Sequence, residues 1–276
     1  MNDSEKSSLT DKNGWNNMCT EIVNNDNIFE NFKVFYGNPM PICGVSKEDG
    51  LYYDKIFNNL PLSVISKMHN SKSELLKNDE KGSPEKINTN NFGEVCPQTM
   101  RYIYTLGELT ELFGDLENLN ILEIGGGYGG QAKVILSLFN ISSYTVIDLK
   151  EACSLQKKYL SEYNNVHFVD GKNIDYESIN RKFDLVISNY SFSELSLEYQ
   201  QKYFEILKHI PNGYIIDNSQ NHKQSGKFTR NGLELNKSII EYNIENIKSY
   251  TTKTRLSTLY ENSEISPTTY YWRSNV

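Results

Sequence analysis

The stretch Ile121-Leu122-Glu123-Ile124-Gly125-Gly126-Gly127-Tyr128-Gly129-Gly130 constrains this chain more than any other. An apolar run ends in an acid, breaks into glycines, and gives way from Gln131 to Phe139 to apolar residues at helical spacing. That order is a strand, a tight turn and a helix, which a merely flexible loop would not produce. Glycines at such a crossing remove the β-carbons, so a ligand can approach the backbone and the amino end of the following helix.

Gly125, Gly127 and Gly130 also satisfy G-x-G-x-x-G, so the glycines alone leave open a nicotinamide dinucleotide and another adenosine-containing ligand. Glu123 separates the two. A carboxylate two residues before the first glycine repels a pyrophosphate and suits a ligand carrying an ammonium group. This favours S-adenosylmethionine, whose aminocarboxypropyl tail carries one, with S-adenosylhomocysteine as its product.

From Glu94 onward, strand-like and helical segments alternate, which predicts an α/β fold with a doubly wound, mostly parallel sheet. Strands are expected at residues 120–124, 144–148, 166–169, 183–188 and 213–217, and helices at 101–113, 131–139, 151–163 and 197–210. Ligands bind such sheets at the carboxyl ends of the strands. Residues 14–93 lack this alternation. Their turn signals at 37–41, 78–84 and 88–91, helical spacing over 60–76, and the aromatics Trp15, Phe29, Phe32, Phe35, Tyr52, Tyr53 and Phe57 predict a packed cap or mobile lid over the sheet. Residues 1–13 read as a flexible tail, and 94–276 as the cofactor-binding domain.

Three segments together resemble one family. Glu123-Ile-Gly-Gly-Gly-Tyr-Gly-Gly is similar to the first motif of Rossmann-like, S-adenosylmethionine-dependent methyltransferases. Cys96-Pro97-Gln98-Thr99-Met100-Arg101-Tyr102 resembles the Ser-Pro-x-Thr-Leu-Arg-Tyr stretch of sugar O-methyltransferases found with polysaccharide biosynthesis enzymes, with cysteine in place of the serine. Ser188-Asn189-Tyr190-Ser191-Phe192-Ser193-Glu194-Leu195 fits the same family. The resemblance spans roughly residues 93–220. It implies methyl transfer to a hydroxyl of a sugar or nucleotide-linked sugar. The other readings are methylation of an amine or a phosphate-derived group, and a non-catalytic cofactor-binding subunit.

The cofactor residues expected are Glu123, Gly125, Gly126, Gly127, Tyr128 and Gln131 at the turn, with Asp148 and Leu149 closing the second strand. Asp148 stands where nucleotide-binding α/β folds offer an acid to ribose hydroxyls, though it would equally serve as a helix cap. Asp170 and Gly171 end the third strand, where the resemblance places the adenine amino group and where Asp-Gly is also a plain turn. Ser188 and Asn189 end the fourth, beside the expected methyl position. Arg101 suits a carboxylate or an anionic acceptor, with a surface salt bridge as the competing reading.

Removing the hydroxyl proton needs a base within reach. His222, five residues past Asp217, is the candidate, because imidazole titrates near neutrality. Glu194 is the other, and equally a capping acid for the helix after it. Asp217, Glu194 and Asn218 are the hard oxygen groups that would hold a divalent cation, but no tight ligand spacing marks a metal site.

With 28 basic against 35 acidic residues and a net charge of -7, the chain shows no basic cluster interleaved with aromatics, so nucleic acid is not an expected partner. Four cysteines without CxxC spacing read as free thiols in a reducing compartment. The polar amino terminus and the lack of any stretch of about 18 apolar residues predict a cytoplasmic protein without a membrane span. Nothing in the sequence sets the oligomeric state.

Overall fold

The structure is a computed structural model and describes residues 14–34, 42–174, 183–195, 197–217, 251–253 and 268–273. The expected tail at 1–13, Phe35, the turn at 37–41, Asn218 and His222 lie outside the described residues.

The amino-terminal part is helical: α1 (Trp15–Asn24), α2 (Asp26–Phe29), α3 (Lys47–Phe57), α4 (Leu62–Asn70) and α5 (Lys72–Leu75), the last running into a 3-10 turn at Leu76–Asp79. Ser46 caps α3 by accepting from the Asp49 amide at 3.0 Å, with Glu48 and Asp49 in the first turn where the helix dipole favours them. The helical spacing at 60–76 is thus spread over two short helices rather than one. The polar run 88–91 is not a free loop but the bend between β1 (Ile87–Thr89) and β2 (Gly93–Val95), an antiparallel pair. Buried Asp54 fixes it, accepting from the amides of Asn90 (2.8 Å) and Asn91 (3.1 Å). Likewise Asn78 and Asp79, expected in an exposed loop, are buried.

The long helix α6 (Pro97–Phe113) starts four residues earlier than the apolar spacing predicts. Proline at the first helical position loses no intrahelical bond and has its φ already set. Then follow β3 (Asn120–Ile124), α7 (Gly130–Leu138), β4 (Ser143–Asp148), α8 (Lys150–Tyr159), β5 (Val166–Asp170), β6 (Leu185–Asn189), α9 (Leu197–Leu207) and β7 (Asn212–Asp217). Two strands not foreseen, β8 (Thr251–Lys253) and β9 (Thr268–Trp272), complete a seven-stranded sheet in the order β5-β4-β3-β6-β7-β9-β8. β5 to β7 are mutually parallel, and β9 runs antiparallel to β7 and β8. Gly213 of β7 makes room for Trp272 of β9, whose ring would lie 2.1 Å from a β-carbon there.

Each parallel strand alternates between two apolar layers, so the sheet is buried on both faces. Ile121, Tyr144, Val146, Leu185, Ile187 and Tyr214 join the core that includes residues of α6, α7, α8 and the amino-terminal helices. Leu122, Ile124, Ile147, Val186 and Ile215 pack with Phe204 and Leu207 of α9. The first core is continuous from Cys19 and Ile22 through Phe32 and Phe57 to Tyr128 and Leu155. The described apolar side chains of residues 14–34 and 42–93 therefore join the core of the sheet domain and form a wall against it. Among the described residues, no helix is long and apolar enough to cross a membrane. The four cysteines are free thiols.

Candidate functional site

The glycine turn lies at the carboxyl ends of β3, β4 and β6. Its left-handed positions are Gly125 (φ 76°), Gly127 (φ 58°) and Gly129 (φ 98°), every second residue. Gly129 was not among the expected site residues, although the alternation is visible in the sequence. Gly130 is the first residue of α7, not a left-handed position, and its missing β-carbon serves close packing, the role of the third glycine in G-x-G-x-x-G. The glycines also differ in what they face. A β-carbon at Gly125 would lie 1.8 Å from Ser191 Oγ, at Gly126 2.7 Å from a Val146 methyl, and at Gly130 2.3 Å from the Tyr102 ring. At Gly127 it would meet nothing within 4 Å. Gly125, Gly126 and Gly130 thus serve the packing of the chain itself, while Gly127 is the left-handed glycine whose bare face opens onto free space.

Glu123 sits beneath the turn and is 1% exposed. Tyr144 Oη donates to its Oε2 at 2.9 Å, and burial pushes the carboxyl up to about 8, with Asp148 adding to the rise. The open carboxylate expected for a ligand ammonium is replaced by a buried group that braces the turn from inside.

Asp148 is half-buried beside that turn. Its Oδ1 accepts from the Leu149 amide (2.8 Å) and its Oδ2 from Gln156 Nε2 (2.8 Å), which also donates to the Gly127 carbonyl (2.9 Å). Burial raises this carboxyl to about 6, opposed by Leu149, Gln156 and the Gly126 and Gly127 amides. Gln156 ties the β4 acid to the glycine turn from α8, and no motif announced it. Each carboxylate oxygen thus already accepts one short hydrogen bond, and the Gly126 and Gly127 amides act on the same group. Leu149 contributes its amide and a buried side chain. Asp170 accepts from Lys172 N (3.0 Å) and Asn173 Nδ2 (2.8 Å), the arrangement of a plain polar turn, and Gly171 N donates to Asp148 O at 2.7 Å.

On the β6 side, Ser188 is fully buried, donating to Ile124 O (2.9 Å) and accepting from Phe192 N (3.1 Å), so it holds the chain instead of facing a ligand. Asn189 belongs to a chain of amides with one allowed sense. The Tyr102 carbonyl can only accept, so Gln131 turns Nε2 toward it (3.3 Å) and offers Oε1 to Asn189 Nδ2 (3.2 Å). Asn189 Oδ1 has no partner among the described residues. Next in the chain, Tyr190 has a left-handed φ of 68°, costly for a bulky residue, and is tied by its amide to Ile216 O at 2.9 Å. Its hydroxyl lies 3.3 Å from that of Tyr53 in α3.

Tyr128 points away from the turn. Its ring is 1% exposed and packs edge-on against Phe32, Tyr102 and Tyr159, and its hydroxyl accepts from Asn78 Nδ2 at 3.1 Å. The expected ligand contact is, for its side chain, the seam with the amino-terminal helices. Glu194 is exposed in the 3-10 turn Phe192–Glu194, and Asp217 is the last residue of β7. Among the described residues no group of three or more His, Cys, Asp or Glu side chains could hold a metal ion.

Comparison with known proteins gives three findings. A family model described as the spermine/spermidine synthase domain matches residues 97–268. The release factor glutamine methyltransferase of Fusobacterium nucleatum subsp. nucleatum is 27% identical over 110 residues, 39% of this chain and 31% of that protein, so the match spans about a third of the relative's length. Among solved structures, the methyltransferase domain of bacterial CtHen1-C is 10% identical, covering 64% of this chain and 97% of that one at a TM-score of 0.47. Phosphoethanolamine N-methyltransferase 2 of Haemonchus contortus, in complex with S-adenosyl-L-methionine, is 13% identical over 62% of this chain and 52% of that one, at 0.45.

Proposed function

The chain belongs to the spermine/spermidine synthase domain family, and on that premise we propose that it is an S-adenosylmethionine-dependent methyltransferase acting on a hydroxyl of a sugar, nucleotide-linked or glycan-bound. The observation that carries the donor is the glycine turn: left-handed at alternate residues, bare and open at Gly127, and flanked by a half-buried acid at the end of the next strand. The partial match to a methyltransferase over 110 residues supports the methyl group, and the sugar rests on the sequence resemblance of residues 96–102 and 188–195.

In this reading Asp148 accepts the ribose hydroxyls, the Gly127 backbone lies against the ligand, and Asn189 Oδ1 accepts an N–H or O–H of donor or acceptor. The bound sulfonium supplies an already activated methyl group. What the protein must add is alignment and removal of a proton. His222 is the proposed proton acceptor, with Glu194 as the alternative.

The family model itself favours a second reading, in which the acceptor is an amine of the polyamine class. Both are tested by incubating the protein with S-adenosylmethionine and a panel of nucleotide sugars, free sugars and polyamines while measuring release of S-adenosylhomocysteine. Turnover with a nucleotide sugar supports the first reading. Turnover with polyamines alone replaces it by the second.

A further inference from the structure

Arg101 carries a guanidinium that has no anion beside it among the described residues. It lies on α6, half-buried, with its central carbon 5.6 Å from the ring centre of Tyr102 and 5.1 Å from that of Tyr190. Among the described residues no carboxylate lies within ion-pair distance of it. The groups that act on its charge are the phenols of Tyr190, Tyr102 and Tyr53, which are neutral near pH 7. Lys33, also among rings and without a carboxylate in ion-pair range among the described residues, directs its donors to the Asn78 carbonyl and Tyr159 Oη, and other cations are paired. Lys133 is 2% exposed and pairs with Glu162 at 3.0 Å, and even the more exposed Lys158 meets Asp26 at 2.7 Å. Stacking on aromatic faces contributes about 0.5–2 kcal/mol, and a hydrogen bond to Tyr102 uses only part of the planar fork of N–H donors. Removing a charge from water without a partner costs more than that. With no carboxylate beside Arg101 among the described residues, the remaining donors of the fork are available to an anion from outside.

We infer that Arg101 forms the floor of an oxyanion subsite at the junction of α3 and the β6 edge, taking a phosphate or carboxylate of the acceptor. This deepens the reading above and rests on it only for the word acceptor. Position argues for acceptor over donor. Asp148, the candidate ribose partner, closes β4 on one side of the turn. Arg101 lies on the other side with Tyr190, which follows β6, and this residue meets Tyr53 from the amino-terminal wall. Tyr190 holds its ring under the guanidinium only by adopting a left-handed backbone, a strain consistent with a maintained platform. An anionic acceptor also fits a nucleotide-linked sugar, whose phosphates would meet the bidentate fork.

The test titrates inorganic pyrophosphate and S-adenosylhomocysteine, separately and together, into wild-type protein, Arg101→Gln and Arg101→Lys by calorimetry, and records thermal unfolding of each without ligand. The expected result is pyrophosphate binding that falls at least 10-fold in Arg101→Gln and less in Arg101→Lys, with S-adenosylhomocysteine affinity changed under 3-fold. Arg101→Gln should unfold at the wild-type temperature or above, because it removes a half-buried charge that has no carboxylate beside it among the described residues. Three results would overturn the inference: no pyrophosphate binding to wild type, pyrophosphate affinity independent of residue 101, or a 10-fold loss of S-adenosylhomocysteine affinity in Arg101→Gln, which assigns the guanidinium to the donor's carboxylate. If pyrophosphate binds through Arg101 and S-adenosylhomocysteine does not bind wild type, the oxyanion subsite stands and the methyltransferase reading falls.

Discussion

The amino-terminal wall and the edge of the sheet hold polar groups in the interior in opposite ways. In the wall they close on one another. Lys33, 4% exposed, donates to the Asn78 carbonyl and to Tyr159 Oη (2.9 Å) among the rings of Phe32, Tyr128 and Tyr159. Asp79 accepts from Cys96 N (2.7 Å) and Thr99 Oγ1, and Asp54 secures the β1–β2 bend. At the edge the same kinds of group are left incomplete among the described residues: Arg101 has rings but no anion, Asn189 Oδ1 has no donor, and Gly127 faces open space. Leaving a buried polar group unpaired costs roughly 1–3 kcal/mol. Among the described residues such atoms occur away from the edge as well, as at Thr145 Oγ1 in β4, so it is the convergence of Asn189 Oδ1 with Gly127 and Arg101 that singles the edge out.

The wall is the place to break that contrast first. Phe32 is fully buried, 5.6 Å from Phe29, 5.5 Å from Tyr128 and 5.8 Å from Tyr159, so Phe32→Ala should cost about 3–5 kcal/mol in denaturant unfolding. A loss below about 1 kcal/mol would return residues 14–93 to the mobile lid first expected. Removal of that whole segment should leave no cooperatively folding protein.

Glu123 sharpens the contrast from the edge side. Its carboxyl is raised to about 8, so the folded state holds a proton that the unfolded chain releases near the ordinary glutamate value of 4.5. Stability from this group is therefore fully present below about pH 4.5 and is lost as pH climbs toward 8. Glu123→Gln keeps an acceptor for Tyr144 and carries no charge, so it should flatten that decline and exceed wild type at pH 8 by an amount on the order of 2–4 kcal/mol. Parallel pH profiles for the two proteins would show that Glu123 is ionised in its buried site at no cost.

The smallest effect on stability and the largest on binding should come from Gly127. Alanine there meets no atom within 4 Å and bears only the left-handed backbone penalty of about 1–2 kcal/mol, yet its methyl enters the space assigned to the ligand. Gly125→Ala should instead damage the fold through Ser191, and Ser191→Gly should partly restore it. Equal affinity for S-adenosylhomocysteine in Gly127→Ala and wild type would move the ligand off this turn.

These contrasts mark where the sequence was legible. Apolar alternation located β3 at Asn120–Ile124 and the other parallel strands within two residues, because each is a short apolar run between polar turns. β8 and β9 gave no such signal. β9 is recognisable by what it packs on, Trp272 against Gly213, a pairing between distant residues that no local pattern reveals. At the site, the acid and the glycines were readable as residue types, but their directions were not. Whether Tyr128 faces a ligand or Phe32, and whether Glu123 is open or sealed beneath Tyr144, depends on partners far away in the chain. Gln156 and the Tyr102–Gln131–Asn189 sequence of amides belong to the same class, since each joins separate elements.

The most direct measurement is calorimetric titration of the full chain with S-adenosylhomocysteine, S-adenosylmethionine and NAD at pH 7.5. One-to-one binding of both sulfur ligands, weakened below about pH 6 as Asp148 gains a proton, and no binding of NAD is the predicted result. Binding of NAD with none of either sulfur ligand would contradict it.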